Sequence, residues 1–326
     1  MLTMFLRGQR DRVAVDLSAD GLPEDAIWLD MRDPSPEEAG FVRRTVGIEM
    51  PTREEMREIE ASARVYEEDG ALFLTATVLV NADTPPPGTT EITFILKGDR
   101  LVTLRYADPQ PFRTMPARLE RQGAGLGSAQ GVLFWLIELV VARIADVLER
   151  ASLDIDTLSG EIFGAANAKP KDERPDLLRA IERIGRAGDT AARARESLLT
   201  LARILLSLGA TDLLPPGSRK EARARAKLLN RDVASLTDHA AFLSGKISLL
   251  LEATLGMINI EQNAIIKIFS VVAVVFMPPT MIASIYGMNF KFLPELDWPL
   301  GYPMALLLMA LSAVIPLLYF RKRGWL

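Results

Sequence analysis

The residues best suited to chemistry in this chain lie on one stripe whose polar members, Glu252 apart, carry neutral oxygen. Glu252, Gly256, Asn259, Asn263, Ile266, Ser270, Ala273, Met277, Thr280, Ser284 and Gly287 follow one another in steps of four and three, and Asn289 comes two residues later. Such steps keep a helix's side chains on one face. Cysteine is absent and His239 is the single histidine, so thiolate and disulfide chemistry are excluded and little is left for imidazole. If a metal is handled, oxygen must hold it, which favours hard cations such as Mg²⁺. Mg²⁺ gives up its waters reluctantly, so a ring of amide oxygens that hydrogen-bonds the hydrated ion suits it better than a cage that strips it. Asn289, at the end of an apolar run, could offer such an oxygen, and taken in isolation Gly287-Met288-Asn289 reads equally as an ordinary turn. No nucleophile and base pairing, metal cluster or Gly-x-x-x-x-Gly-Lys-Ser/Thr loop appears, so neither an enzyme nor an organic cofactor is expected.

Two apolar runs position this stripe. Residues 268–285 and 303–320 contain no charged side chain, and each with its flanks reaches the roughly 20 residues needed to cross a bilayer. The link between them holds Lys291, Glu295 and Asp297. Glu295 and Asp297 either focus cations at an outer mouth or are simply solvated. Lys267 precedes the first run and Arg321, Lys322 and Arg323 follow the second, so both termini are expected in the cytosol, with membrane lipid as a partner. No proline interrupts residues 217–277, so one helix should run from about Lys220 through the first span. Its length would be on the order of 100 Å. Leu229, Val233, Leu236, Ala240, Leu243, Ile247 and Leu250 form a packing seam on it. The polar stripe faces either neighbouring helices, which its small residues would admit closely, or water. Val271, Val275, Phe276 and Ile282 lie off it. Two spans cannot enclose water alone, so a water-filled path would need identical subunits around an axis.

The preceding residues read as an α/β domain. Ala26–Met31 is a short strand, and Pro34-Ser35-Pro36-Glu37-Glu38 opens a helix with a serine cap. Thr52-Arg53-Glu54-Glu55 opens another with a capping box. Residues 70–80 form a strand, and residues 91–106 a hairpin turning at Lys97-Gly98-Asp99. Helices are expected over 132–158 and 172–208, broken by Pro215-Pro216-Gly217. The division expected is 1–125 (cytosolic α/β domain), 126–218 (helical pair), 219–287 (stalk and pore helix), 288–302 (external loop), 303–320 (second span) and 321–326 (basic tail). A quarter of the 326 residues are charged, with a net charge of -4, which excludes a chain embedded throughout and offers no general attraction to nucleic acid.

Tyr286-Gly287-Met288-Asn289-Phe290, Leu293-Pro294-Glu295-Leu296, Gly301-Tyr302-Pro303, Asn259-Ile260-Glu261-Gln262-Asn263 and the ending Tyr319-Phe320-Arg321-Lys322-Arg323-Gly324-Trp325-Leu326 together resemble the CorA family of magnesium channels. The resemblance is specific over about the last hundred residues. Leu293 stands where the family usually has Met. It implies a homopentameric funnel in the cell inner membrane that takes up Mg²⁺, with Co²⁺ and Ni²⁺ as further cargo. Gly287, Met288 and Asn289 are then the selectivity filter, and Asn263 and Thr280 are rings offering oxygen to the ion. Ile266 and Met277 match apolar constrictions, and Phe269 is adjacent, as a plug or as a lipid or helix contact. Glu252 matches a family position usually held by Asp. The family also implies closure by cytosolic Mg²⁺ bound between protomers, for which Asp83 and Asp232, and after them Glu252, are the candidates. A zinc transporter of the same superfamily and a non-conducting membrane scaffold or sensor are the alternatives.

Overall fold

The computed structural model describes residues 1–9, 12–82, 87–115, 127–164, 176–214, 217–289 and 298–325. Its strands are β1 (Leu2–Leu6), β2 (Val13–Ala14), β3 (Ala26–Arg32), β4 (Val65–Glu68), β5 (Ala71–Val80), β6 (Gly88–Lys97) and β7 (Arg100–Arg105). They form one sheet in the order β2-β1-β3-β7-β6-β5-β4, with β3 and β7 parallel and the other neighbours antiparallel. The expected hairpin is present: Lys97 pairs with Arg100, and Gly98 takes the left-handed conformation its turn requires, φ 58°. Alternation along β6 feeds two cores. Phe94 and Leu96 join Val132, Leu136, Leu201 and Leu205 on one face, while Ile95 joins Phe41, Val42 and Met56 on the other.

Helix α1 (Pro36–Val46) starts where the sequence places it. Ser35 Oγ accepts from the Glu38 amide, the Glu38 carboxylate accepts from the Ser35 amide at 2.9 Å, and Gly47 closes the helix at φ 72°. The box at Thr52 also forms, with Thr52 N donating to Glu55 Oε2 at 2.7 Å, but it leads only into a 3₁₀ turn, Glu55–Arg57. A cap contributes about 1 kcal/mol and cannot by itself offset helix nucleation. Past Met56 the segment has no buried face, and Ile59 is 82% exposed. One turn of helix, α2 (Ala61–Arg64), then leads into β4.

Long helices complete the chain: α3 (Ala129–Gly164), α4 (Leu177–Ala210), α5 (Arg219–Tyr286) and α6 (Gly301–Lys322). α3 exceeds the expected 132–158 at both ends. α4 starts at Leu177 rather than 172, because the Asp176 carboxylate accepts from the amides of Leu178 and Arg179 and fixes the start there. The chain divides into two compact units, Met1–Leu251 and Glu252–Leu326.

In the first unit the α5 seam is the buried face. Leu229, Val233, Ala240, Leu243, Ile247 and Leu250 are all at most 9% exposed, and Leu236 packs beside them. Arg225 Nε meets Glu138 Oε1 at 2.8 Å, and Lys246 pairs with Asp156, so α5 is tied to α3 at two heights. At the centre of the sheet, Asp30 on β3 and Arg105 on β7 form a buried two-point pair, with Thr103 Oγ1 donating to the same carboxylate. Burial opposes the Arg105 charge, but the hydrogen bonds and charges of Asp30 and Asp108 raise its pKa above the ordinary arginine value.

The second unit holds the two apolar helices. Only 6% of the most apolar window of each is buried, and Val271 and Ala305 are the buried apolar side chains among its described residues. Such surfaces require lipid or sister helices, not water.

Candidate functional site

The upper part of α5 sorts its residues by face. Val271 is 4% exposed, whereas Ala273, about 200° further round the helix by its geometry, belongs to an open groove with Met277, Thr280 and Ser284. Four of the expected pathway residues therefore line one surface. Val272, Phe276 and Met281 line it too. Phe276 was expected off the stripe, but a surface about one side chain wide takes in the neighbours of its central row, and Phe276 is 65% exposed at the groove. Spacing by threes and fours marks the middle of a helical face and misses these flanks.

Below the groove, Ser270 is half-buried, while Ile266, Phe269, Asn263 and Glu252 are exposed. Ile266 and Phe269 are 59% and 70% exposed, large apolar side chains on the same stretch as the polar stripe. Above it, Gly287 N donates to Ala283 O at 2.9 Å and Met288 N to Ile285 O at 3.3 Å, which ends the helix. A Cβ on Gly287 would stand 3.0 Å from the Ala283 carbonyl oxygen, so the turn is best made by glycine. Met288 and Asn289 come next, both exposed.

The hydroxyl of Thr280 donates to the Phe276 carbonyl oxygen at 2.6 Å. Its hydrogen is committed to the backbone, so what the exposed hydroxyl can still offer is an acceptor. That polarity suits a hydrated cation, whose waters turn their hydrogens outward. Just before it, Pro278 and Pro279 lie inside α5 and lack amide hydrogens, which leaves the carbonyls of Val274 and Val275 without their usual helical donors.

Asp232 is exposed on α5 in the first unit, and Glu252 is exposed at the base of the stripe. Asp83, Glu295 and Asp297 lie outside the described residues. Among the described residues no group of three or more His, Asp or Glu side chains converges as a metal site.

Residues 23–322 match the protein family described as "CorA-like Mg2+ transporter protein". The "Magnesium transport protein CorA" of Salmonella typhimurium is 37% identical over 302 residues, covering 93% of this chain and 92% of that protein. The protein of the same name from Escherichia coli K12 matches with the same identity and coverage. Among solved structures, the complete CorA magnesium transporter of Methanocaldococcus jannaschii superposes with a TM-score of 0.76 at 21% identity, covering all of this chain and 99% of that one. The full-length CmaX protein gives 0.70 at 18% identity, covering 100% and 98%.

Proposed function

Since this chain belongs to the family of CorA-like Mg²⁺ transporter proteins, and so moves divalent cations, mainly Mg²⁺, across the inner membrane it spans twice with both termini in the cytosol, we propose that it does so as a homopentameric channel. Five copies of α5 surround the axis, each turning its stripe inward. The observation that carries this reading is that Ala273, Met277, Thr280 and Ser284 lie together on one exposed surface of α5, on the far side of the helix from the buried Val271.

In this arrangement Gly287, Met288 and Asn289 form the outer filter, where five amide oxygens accept from the waters of an arriving ion. Glu295 and Asp297 concentrate cations at that mouth. Thr280 and Asn263 supply further oxygen rings, and Met277, Ile266 and Phe269 form the apolar narrowings that close by dewetting. Glu252 forms an acidic ring at the cytosolic end. The chain's labour divides into a cytosolic body to residue 218, a stalk and pore helix to 287, a link to 302, a return span to 320 and a basic tail. Co²⁺ and Ni²⁺, close in size to Mg²⁺, are further cargo.

Voltage is the energy source. Two charges crossing 100 mV, inside negative, gain about 4.6 kcal/mol. Cytosolic Mg²⁺ acts as the closing ligand, bound between neighbouring protomers by Asp83, Asp232 and Glu252, so that its loss releases the stalks. The deciding experiment is Mg²⁺ uptake by the purified protein in vesicles of set internal Mg²⁺. Uptake driven by an inside-negative potential and suppressed by internal Mg²⁺ is expected. Flux that persists at high internal Mg²⁺ removes the closing role, and absence of flux under every condition removes the channel.

A further inference from the structure

The end of the second span is a built structure. Arg323 N donates to Tyr319 O at 3.1 Å, Gly324 N to Arg321 O at 3.2 Å and Trp325 N to Phe320 O at 3.0 Å, with Gly324 left-handed at φ 70°. This reversal folds Trp325 back along α6, as a glycine after a helix C-terminus allows. Its ring stacks on Phe320 with centroids 5.2 Å apart, and the ammonium of Lys267, at the base of the first span, lies 5.9 Å from the Trp325 ring centroid. The guanidinium of Arg323 sits over Tyr319 at 5.6 Å. Both helices thus contribute to one cluster, in which Lys267 and Arg323 contact the rings of Trp325 and Tyr319, Phe320 lies between those rings, and Arg321 and Lys322 occupy the same last turn of α6.

The cluster is strongly basic. From Lys267 to Trp325 the sequence contains two acids, Glu295 and Asp297, and both belong to the link between the two apolar runs. The preceding acid, Glu261, is six residues back along α5. None of the four cations has a carboxylate partner among the described residues. At this level of a bilayer the abundant anion is lipid phosphate. Juxtamembrane basic clusters are drawn to anionic headgroups, and Trp and Tyr rings settle at the boundary between headgroup and acyl chain.

We propose that this basic and aromatic cluster binds the headgroup of an anionic phospholipid. Lys267, Arg321 and Arg323 hold the phosphate, and Trp325 seats the glycerol end while fixing Lys267 in place. The site goes beyond ion transport and can be read without it. The test is native mass spectrometry of the full-length protein released from nanodiscs containing equal amounts of phosphatidylglycerol and phosphatidylcholine. At least threefold preferential retention of phosphatidylglycerol is expected. It should fall to parity in Arg321→Gln/Lys322→Gln/Arg323→Gln and weaken in Trp325→Ala, and it should survive in Arg321→Lys/Arg323→Lys. Equal retention of the two lipids by the unaltered protein overturns the proposal even if the variants do not assemble. Unchanged preference in the triple variant overturns it too, as does displacement of phosphatidylglycerol by millimolar inorganic phosphate, which would mark a site for free anion. Because the readout is lipid mass, failure here leaves the channel reading standing, and failure of flux leaves this site standing.

Discussion

The Thr280 hydroxyl gives its hydrogen to the carbonyl of Phe276, 2.6 Å away and one turn below, and so presents only lone pairs to the groove. Serine reproduces that bond and valine does not. Thr280→Ser should therefore keep Mg²⁺ uptake within about twofold. Thr280→Val, equal in shape, replaces the acceptor by a methyl group and should slow uptake about tenfold, the equivalent of ~1.4 kcal/mol on the barrier. Equal rates for the two variants in the same vesicles would remove Thr280 from the ion's route.

Asn289 makes a sharper case because its side chain is exposed and comes just after the turn at Gly287. Asn289→Ala should reduce uptake to the background of empty vesicles while the oligomer stays intact by size-exclusion chromatography. Ordinary uptake by this variant would mean that the ion enters elsewhere.

Apolar narrowing predicts the opposite sign. Met277 and Ile266 are 68% and 59% exposed, so polar replacements should fold without disturbing a core. Met277→Ser and Ile266→Asn should wet the pathway and raise flux at high internal Mg²⁺ several-fold. A decrease in both would mean that these side chains aid passage and do not block it.

The pair between Asp30 and Arg105 is a stability element. Asp30→Ala strands a buried guanidinium, a change that costs about 3–5 kcal/mol, and the remaining Asp108 bond at 2.7 Å places it at the low end. Faster amide hydrogen exchange in β3 and β7 than in α1 is the expected result. Protection unaltered in both strands would show the pair to be dispensable.

Acid sensitivity arises at Glu38. Burial works to raise its pKa, but hydrogen bonds from the amino terminus, the Ser35 amide and the Leu2 amide outweigh this and hold it below the ordinary 4.5. A carboxylate depressed by folding stabilises the fold fully above its unfolded value, and the contribution disappears as pH falls through the folded one. Glu38→Gln should accordingly be less stable than the unaltered protein at neutral pH and lose less on going from pH 5 to pH 3 in thermal melts. Parallel losses over that interval would assign the acid response to other groups.

The spans and the stalk were legible in the sequence because their signals are local: charge-free runs, absent prolines, and a seam repeating every three or four residues. The capping box at Ser35 and the turn at Lys97-Gly98-Asp99 were legible for the same reason, since each is decided by neighbours in sequence. The sheet was only partly so. β1 and β4 are short, and the parallel pairing of β3 with β7 joins Trp28 to Leu101 across more than seventy residues, so nothing near Asp30 announces Arg105. Thr52 shows the converse: its cap forms, but whether a full helix grows from it depends on burial, which a cap does not encode. On α5, periodicity placed Ala273, Met277, Thr280 and Ser284 on one face, while the width of that surface and the inclusion of Phe276 depend on how neighbouring side chains pack, which spacing does not encode.

Pro278 and Pro279 carry one more implication. A helix resists flexing through its ladder of peptide bonds, and two consecutive rungs are missing beside Val274 and Val275 by the chemistry of the residues themselves. Curving α5 at that level sacrifices no rung it possessed. The segment between Met277 and Asn289 can thus be tilted like the wrist of a stiff arm, so the end of α5 that carries Gly287 is the part of the helix that moves with the least resistance.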